Sequence, residues 1–235
     1  MSGTPQLPLA IGLRDDSTFD NYLPGEGNAE VLDAVRALLQ GRHSYLYLHG
    51  EPGSGRSHLL QAAVHAAAAG GHCVFYLSLA GADRPPPQVI EGVGDSAALV
   101  CLDDLDAVAG DSDWEVALFH LFNALRGAGG RLLVSASSVP GASGWRLADL
   151  LSRLSSGLVI RLPAPSDEQR LDILTFRAAR RGLELSPETG RYLLARVHRR
   201  MDLLLGLLDR LDREALAHQR RLSIPFVRQV LQAGA

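Results

Sequence analysis

The octet Gly50-Glu51-Pro52-Gly53-Ser54-Gly55-Arg56-Ser57 is the part of this chain best suited to chemistry. Its glycines let the backbone wrap closely round an anion, its successive N–H groups can converge, and a helix opening directly after it turns its positive end to the same spot. Between an apolar strand-like run and a helix, that arrangement suits the phosphates of a nucleotide. Arg56 stands where this pattern ordinarily has Lys. It keeps the charge, but its planar fork sits less easily as a point charge between β- and γ-phosphates, so binding should survive better than catalysis. Ser57 is placed to hold a Mg²⁺ that arrives with the nucleotide. Two plainer readings stand beside these: a glycine-rich turn with no ligand, and an Arg56 that only reflects a chain with no Lys at all.

A second locus is Leu99-Val100-Cys101-Leu102-Asp103-Asp104, an apolar run closing on two acids. With a phosphate loop upstream, this puts a carboxylate near the metal. Asp103 is the metal-side acid. Asp104 falls where an ATPase usually has Glu to polarise water, and its shorter side chain argues against self-hydrolysis. Ser135 and Ser137, after the next apolar run, either hydrogen-bond a γ-phosphate or its water or are ordinary turn serines. The eight histidines include no pair at i, i+4, which excludes a metal site other than nucleotide-borne Mg²⁺, and no Gly-x-Ser-x-Gly elbow occurs. Cys73 and Cys101 lie in apolar runs and read as reduced core thiols.

The elements that must position these residues follow from periodicity. Apolar runs at 44–48, 73–79, 99–102, 131–135 and 158–162 alternate with helical patterns such as 28–40, 57–69 and 113–126. Five short apolar strands between helices predict an α/β fold with a covered, mainly parallel five-stranded sheet. After Pro163 and Pro165 the strands stop, and four helical patterns remain, at 167–181, 187–196, 199–220 and 225–232. The expected organisation is a flexible tail over 1–14, an α/β nucleotide-binding core over 15–165, and an all-helical lid over 166–235. Arg84-Pro85-Pro86-Pro87 reads as a stiff surface loop.

Composition narrows the class. At 235 residues and 46% hydrophobic the chain can bury a sizeable core, and no run of eighteen apolar residues or leader-like N-terminus occurs, so a cytoplasmic protein without a membrane partner is expected. The net charge of −3 hides an asymmetry: residues 1–165 carry 10 Arg against 17 acids, −7, and residues 166–235 carry 13 Arg against 9, +4. The arginines at 196, 199, 200, 220 and 221 form either a face for DNA or an acidic partner, or a solvated helix surface.

Phe19-Asp20-Asn21-Tyr22, Gly55-Arg56-Ser57-His58-Leu59-Leu60 and the double acid resemble the AAA+ module of the replication initiator DnaA. A lone module with Arg in the phosphate loop, a short tail, and Leu222-Ser223-Ile224-Pro225-Phe226-Val227 after the lid, with no helix-turn-helix domain following, is similar to the Hda family of regulatory inactivators. The resemblance implies an AAA+ core that holds ADP, or ATP, with Mg²⁺, through Asp20, Tyr22, Gly50, Pro52, Gly53, Ser54, Gly55, Arg56, Ser57, His58, Asp103, Asp104 and Ser135. It implies that Gln6, Leu7, Leu9 and Ile11 dock on the bacterial sliding clamp, the β subunit of the DNA polymerase, and so reach DNA indirectly. It implies that Arg153, in Asp149-Leu150-Leu151-Ser152-Arg153-Leu154, is an arginine finger acting in trans on ATP bound to DnaA. From the residues alone, Arg153 is a helix-surface arginine with Asp149 four residues before it as ion-pair partner. Asp202 occupies the lid position where relatives carry a phosphate-sensing Arg, which favours a diphosphate unless Arg199 or Arg200 substitutes. The expected protein is then no enzyme in its own right but a negative regulator of replication initiation that stimulates its partner's hydrolysis. A homo-oligomer stays open. The alternatives are a self-sufficient AAA+ ATPase that loads or remodels replication proteins, and a direct DNA-binding module.

Overall fold

The computed structural model describes residues 13–14, 16–25, 27–218 and 220–233. They fall into two compact units. One holds the described residues up to Glu51 together with Gly55–Pro163; the other holds Pro52–Ser54 and the described residues from Ala164 onward.

The first unit is a five-stranded, all-parallel sheet of β1 (Tyr45–His49), β2 (Val74–Ser78), β3 (Leu99–Asp103), β4 (Arg131–Ala136) and β5 (Leu158–Arg161), in the order β2-β3-β4-β1-β5. The parallel five-stranded sheet expected from the apolar runs is the one found. Its strands β1 to β4 are mainly apolar because both faces are covered, while β5 at the edge is only partly buried. On one face, α1 (Ala29–Leu39) and α2 (Arg56–Ala69) bring Val31, Val35, Leu38, Leu59 and Leu60 against Leu46, Leu48 and Leu133. On the other, α4 (Ser112–Ala128) and α5 (Ala148–Ser155) bring Leu118, Leu121, Leu125, Leu150 and Leu154 against Tyr45, Tyr47 and Val134. Successive residues of β1 thus serve opposite layers, as the alternation of a strand requires. A short helix, α3 (Val93–Ser96), and several 3₁₀ turns fill the connections, among them Phe19–Asn21, Pro87–Ile90 and Leu105–Val108. Arg84 Nη1 ties the proline-rich loop to the carbonyl of Ala107 at 2.9 Å.

The sheet order explains where a site forms. The chain leaves β1 in the middle of the sheet, crosses to β2 at the far edge, and returns through β3 to β4. The carboxyl ends of β1, β4 and β3 therefore stand side by side, each followed by a turn that can carry functional groups.

The second unit contains α6 (Asp167–Ala179), α7 (Pro187–Leu194), α8 (Met201–His218) and α9 (Ile224–Gln232). Ser166 opens α6 through a reciprocal capping box with Gln169, and Ser186 caps α7 with Pro187 at its first position. Leu174, Ala178, Leu193, Leu204, Leu208, Leu211, Phe226 and Val227 form its own core. Arg210 Nη2 donates to the Val230 carbonyl at 2.9 Å, joining α8 to α9. No helix among the described residues is long and apolar enough to cross a membrane.

Candidate functional site

The glycine-rich loop leaves β1 while its first amide still belongs to the sheet: the N–H of Gly50 donates to the carbonyl of Ala136 at 3.2 Å. Gly53 and Gly55 adopt φ +84° and +101°, backbone that L side chains rarely take, and these two positions let the chain double back into α2. Gly55 is the N-cap of α2 and offers no side-chain cap, so the first-turn amides of a 14-residue helix are left for another acceptor.

Arg56, the first residue of α2, is buried to 8% exposure. Its Nη2 donates to Asp104 Oδ1 at 3.1 Å, an ion pair between the loop and the end of β3, while its Nη1 is buried with no hydrogen-bond partner. Ser57, next in the helix, is exposed. An orphaned, buried, cationic donor beside uncapped helix amides fits an anion such as a nucleotide phosphate.

Asp103 is the last residue of β3 and is 2% exposed. Its carboxylate is held from two sides. Oδ1 accepts from the Ser135 hydroxyl, and Oδ2 accepts at 3.1 Å from Tyr76, whose own oxygen accepts from Gln61 Nε2 of α2 at 3.1 Å. Burial, the Asp103 charge and the Gln61 and Asp103 hydrogen bonds act on the Tyr76 phenol, with a net push well above its ordinary range. Each carboxylate oxygen accepts one hydrogen bond and keeps a lone pair, so Asp103 with the hydroxyl of Ser57 would hold a Mg²⁺ brought by a nucleotide; the metal would neutralise phosphate charge there.

Asp104 has φ 52° and ψ 51°, a left-handed backbone that is unusual for a residue with a side chain. Its N–H donates at 2.9 Å to Ser135 Oγ, the same hydroxyl that bonds Asp103. Burial first, then the Asp103 charge, push the Asp104 carboxyl up, and Arg56 pulls it back down. Ser135 is fully buried, so the structure makes it the clasp between the two acids rather than a group facing a phosphate. Ser137 bonds Asp106 through both its N–H and its hydroxyl.

Of the N-terminal residues expected to contact a nucleotide, Tyr22 lies by the loop. Tyr22 follows the 3₁₀ turn Phe19–Asn21, its ring lies 5.5 Å from that of His58, and a Cβ on Gly55 would stand 3.6 Å from Tyr22 Cε2. Burial pushes the Tyr22 phenol up to about 12. His58 Nε2 lies 2.8 Å from the Thr18 carbonyl, and Asp20 is exposed on the turn. Glu51 and Pro52 are exposed in the loop. Gln6, Leu7, Leu9 and Ile11 lie outside the described residues.

Arg153 sits on α5. Its guanidinium lies 4.4 Å from the centre of the Phe119 ring and donates to Asn123 Oδ1, both on α4. The i−4 pairing with Asp149 is not what forms: the aromatic face and the amide of α4 hold the cation instead. Sequence reasoning missed what sets α5 in place. Glu115, only 1% exposed, accepts from the N–H groups of Gly110 at 2.8 Å, Arg146 at 3.1 Å and Leu147 at 2.6 Å, the last being the N-cap residue of α5. An acid on an otherwise amphipathic helix gives no signal of burial; only the nearby turn residues, hungry for an acceptor, could have hinted at it.

In the helical unit, Asp202 pairs with Arg200 at 2.7 Å, and Arg199 pairs with Asp167 at 2.8 Å. Arg196 lies over the Tyr192 ring at 5.2 Å, and Arg220 donates to Gln229 at 3.2 Å.

Residues 167–231 match the family described as Hda, lid domain. The chain superposes on domain III of the replication initiation protein DnaA from Thermotoga maritima with a TM-score of 0.80, at 22% identity, over 94% of this chain and 98% of that one. Residues 167–231 are thus similar to the Hda lid domain, and the fold is that of DnaA domain III. The same AAA+ fold is shared with AMPPCP-bound DnaA from Aquifex aeolicus, at TM-score 0.68 and 24% identity over 84% of this chain and 66% of that one. It is shared too with the RuvB Holliday junction branch migration motor of Thermotoga maritima, at TM-score 0.67 and 16% identity over 92% and 72%.

Proposed function

We propose that this protein is a negative regulator of replication initiation that holds ADP with Mg²⁺, is tethered through Gln6, Leu7, Leu9 and Ile11 to a DNA-loaded sliding clamp in the cytoplasm, and offers Arg153 to ATP bound on DnaA. The observation that carries the reading is the placement of Arg153. It lies outside the chain's own phosphate loop, on a helix pinned by the buried Glu115, with its charge resting on Phe119 and Asn123 rather than neutralised by an acid. A cation kept in that way can turn to a partner's phosphoryl group without first breaking an ion pair, and an arginine so placed accelerates phosphoryl transfer by about 10³–10⁵.

The protein's own turnover is weak on this reading, because Asp104, at the position of the water-polarising acid, is engaged by Arg56. A self-sufficient loader or remodeller would need that carboxylate at the water. Arg153→Ala tests the proposal: folding, nucleotide binding and clamp binding should persist while stimulation of DnaA-bound ATP hydrolysis disappears. Undiminished stimulation refutes the assignment. Turnover by the purified protein alone at the rate of an ordinary AAA+ motor would favour the alternative.

A further inference from the structure

We propose that Arg56 and Asp104 form a matched pair that divides the arginine fork between an acid and a diphosphate, and that this division gives the site its preference for ADP and keeps Asp104 from hydrolysis. The inference rests on the nucleotide-holding part of the reading above and adds the residues that decide which nucleotide stays.

Three features of the first unit lead there. The fork is half used: Nη2 is on Asp104 Oδ1 at 3.1 Å, and Nη1 is buried without a partner on a side chain that is more than nine-tenths buried. A buried cationic N–H left without an acceptor is costly, so the arm is shaped for an anion not supplied by the protein. The backbone that carries the acid is anchored, since the left-handed Asp104 donates its N–H to Ser135, whose hydroxyl is in turn on Asp103. Finally, the two departures from the usual pattern compensate each other. Arg reaches further than Lys and branches, Asp is one methylene shorter than Glu, and the two meet at hydrogen-bond distance.

A lysine is one point charge and must choose between acid and phosphate, whereas the planar fork serves both with separate nitrogens. With a diphosphate, Nη1 gains its acceptor and the Arg56–Asp104 pair persists. A triphosphate brings further negative charge towards an arginine whose fork is already shared with an acid, so its extra phosphate is poorly compensated. The pair that disfavours ATP is also the one that withholds Asp104 from water.

The test uses the full chain with Mg²⁺ and measures the ratio Kd(ATP)/Kd(ADP) by calorimetry for wild type, Asp104→Asn and Arg56→Lys, with thermal melts to establish folding. The ratio should lie above one in wild type. It should fall about tenfold in Asp104→Asn, where the charge is lost and the shape kept, and also in Arg56→Lys, where the charge is kept and the fork lost, so either folded variant suffices. The double variant Arg56→Lys/Asp104→Glu should hydrolyse ATP at least about tenfold faster than wild type, and neither single change should. If the variants lose affinity for both nucleotides equally, with the ratio unmoved, Arg56 and Asp104 are merely structural and the proposal falls. That outcome leaves the regulator reading intact, because stimulation through Arg153 is measured separately; a wild type that binds neither nucleotide overturns both.

Discussion

Replacing Glu115 by Ala should be among the most damaging single changes in the core. The side chain is 1% exposed, and its two oxygens are the acceptors for the N–H groups of Gly110, Arg146 and Leu147. The substitution takes the acceptor from three part-buried N–H groups, each costing up to about 1–3 kcal/mol, and water reaching them offsets part of that, so a loss of about 3 kcal/mol is expected. Glu115→Gln keeps the volume and one acceptor oxygen but aims an NH₂ group at a backbone N–H, for an expected loss of about 2 kcal/mol. Urea unfolding read by tryptophan fluorescence suits the measurement, since the chain's two tryptophans, Trp114 and Trp145, both pack on the core that Glu115 serves. The midpoint should drop with the slope unchanged. Amide exchange at Leu147 should accelerate in Glu115→Gln before the rest of the unit opens, and stimulation through Arg153 should decline with it. A loss below about 1 kcal/mol for Glu115→Ala, or unaltered exchange at Leu147, would show that the three N–H groups have other acceptors and that Glu115 does not set α5.

Gly55→Ala, at φ +101°, should cost about 1–2 kcal/mol of stability and weaken nucleotide binding measured by calorimetry, because the loop can no longer hold its turn without strain. Burial and the Asp103 charge raise the Cys101 thiol well above its ordinary range, so a thiol reagent should modify the half-buried Cys73 in the folded protein and reach Cys101 only after denaturation. Burial, then the charges of Arg161 and Arg56, lower the pKa of His49 below about 6.5, so the native state binds this proton less readily than the unfolded chain. Stability from this source is present above about pH 6.5 and is lost as the pH falls beneath it, so the melting temperature of His49→Gln should fall less than that of wild type between about pH 6.5 and 5.

Much of the scaffold was legible because its signals are local. Glycines flanked by an apolar run and a helical pattern mark the β1–α2 loop, and short apolar runs mark strands covered on both faces. The ends were less so. α8 begins at Met201 rather than at residue 199, where Arg199 and Arg200 turn instead to Asp167 and Asp202, and β3 runs on through Asp103 because its carbonyl accepts from Leu79. Stretch 87–96 gave no periodicity and forms a 3₁₀ turn and a single-turn helix, pieces too short to show one. At the site, residue types pointed to the loop and the two acids, but the partners were tertiary. That Arg56 meets Asp104, that Ser135 clasps both acids, and that Arg153 rests on Phe119 depend on which strand ends and helices become neighbours, and sequence spacing does not encode that.

The shared hydroxyl of Ser135 has a consequence for control. With its proton on Asp103 and its oxygen receiving the Asp104 amide, buried in the sheet, it ties the two acids together and spends both roles inside the protein. A hydroxyl used in that way has nothing left to offer a ligand. If Arg153 acts as proposed, control passes to whatever partner meets that edge of the molecule, and the strand-end acids hold still while it does.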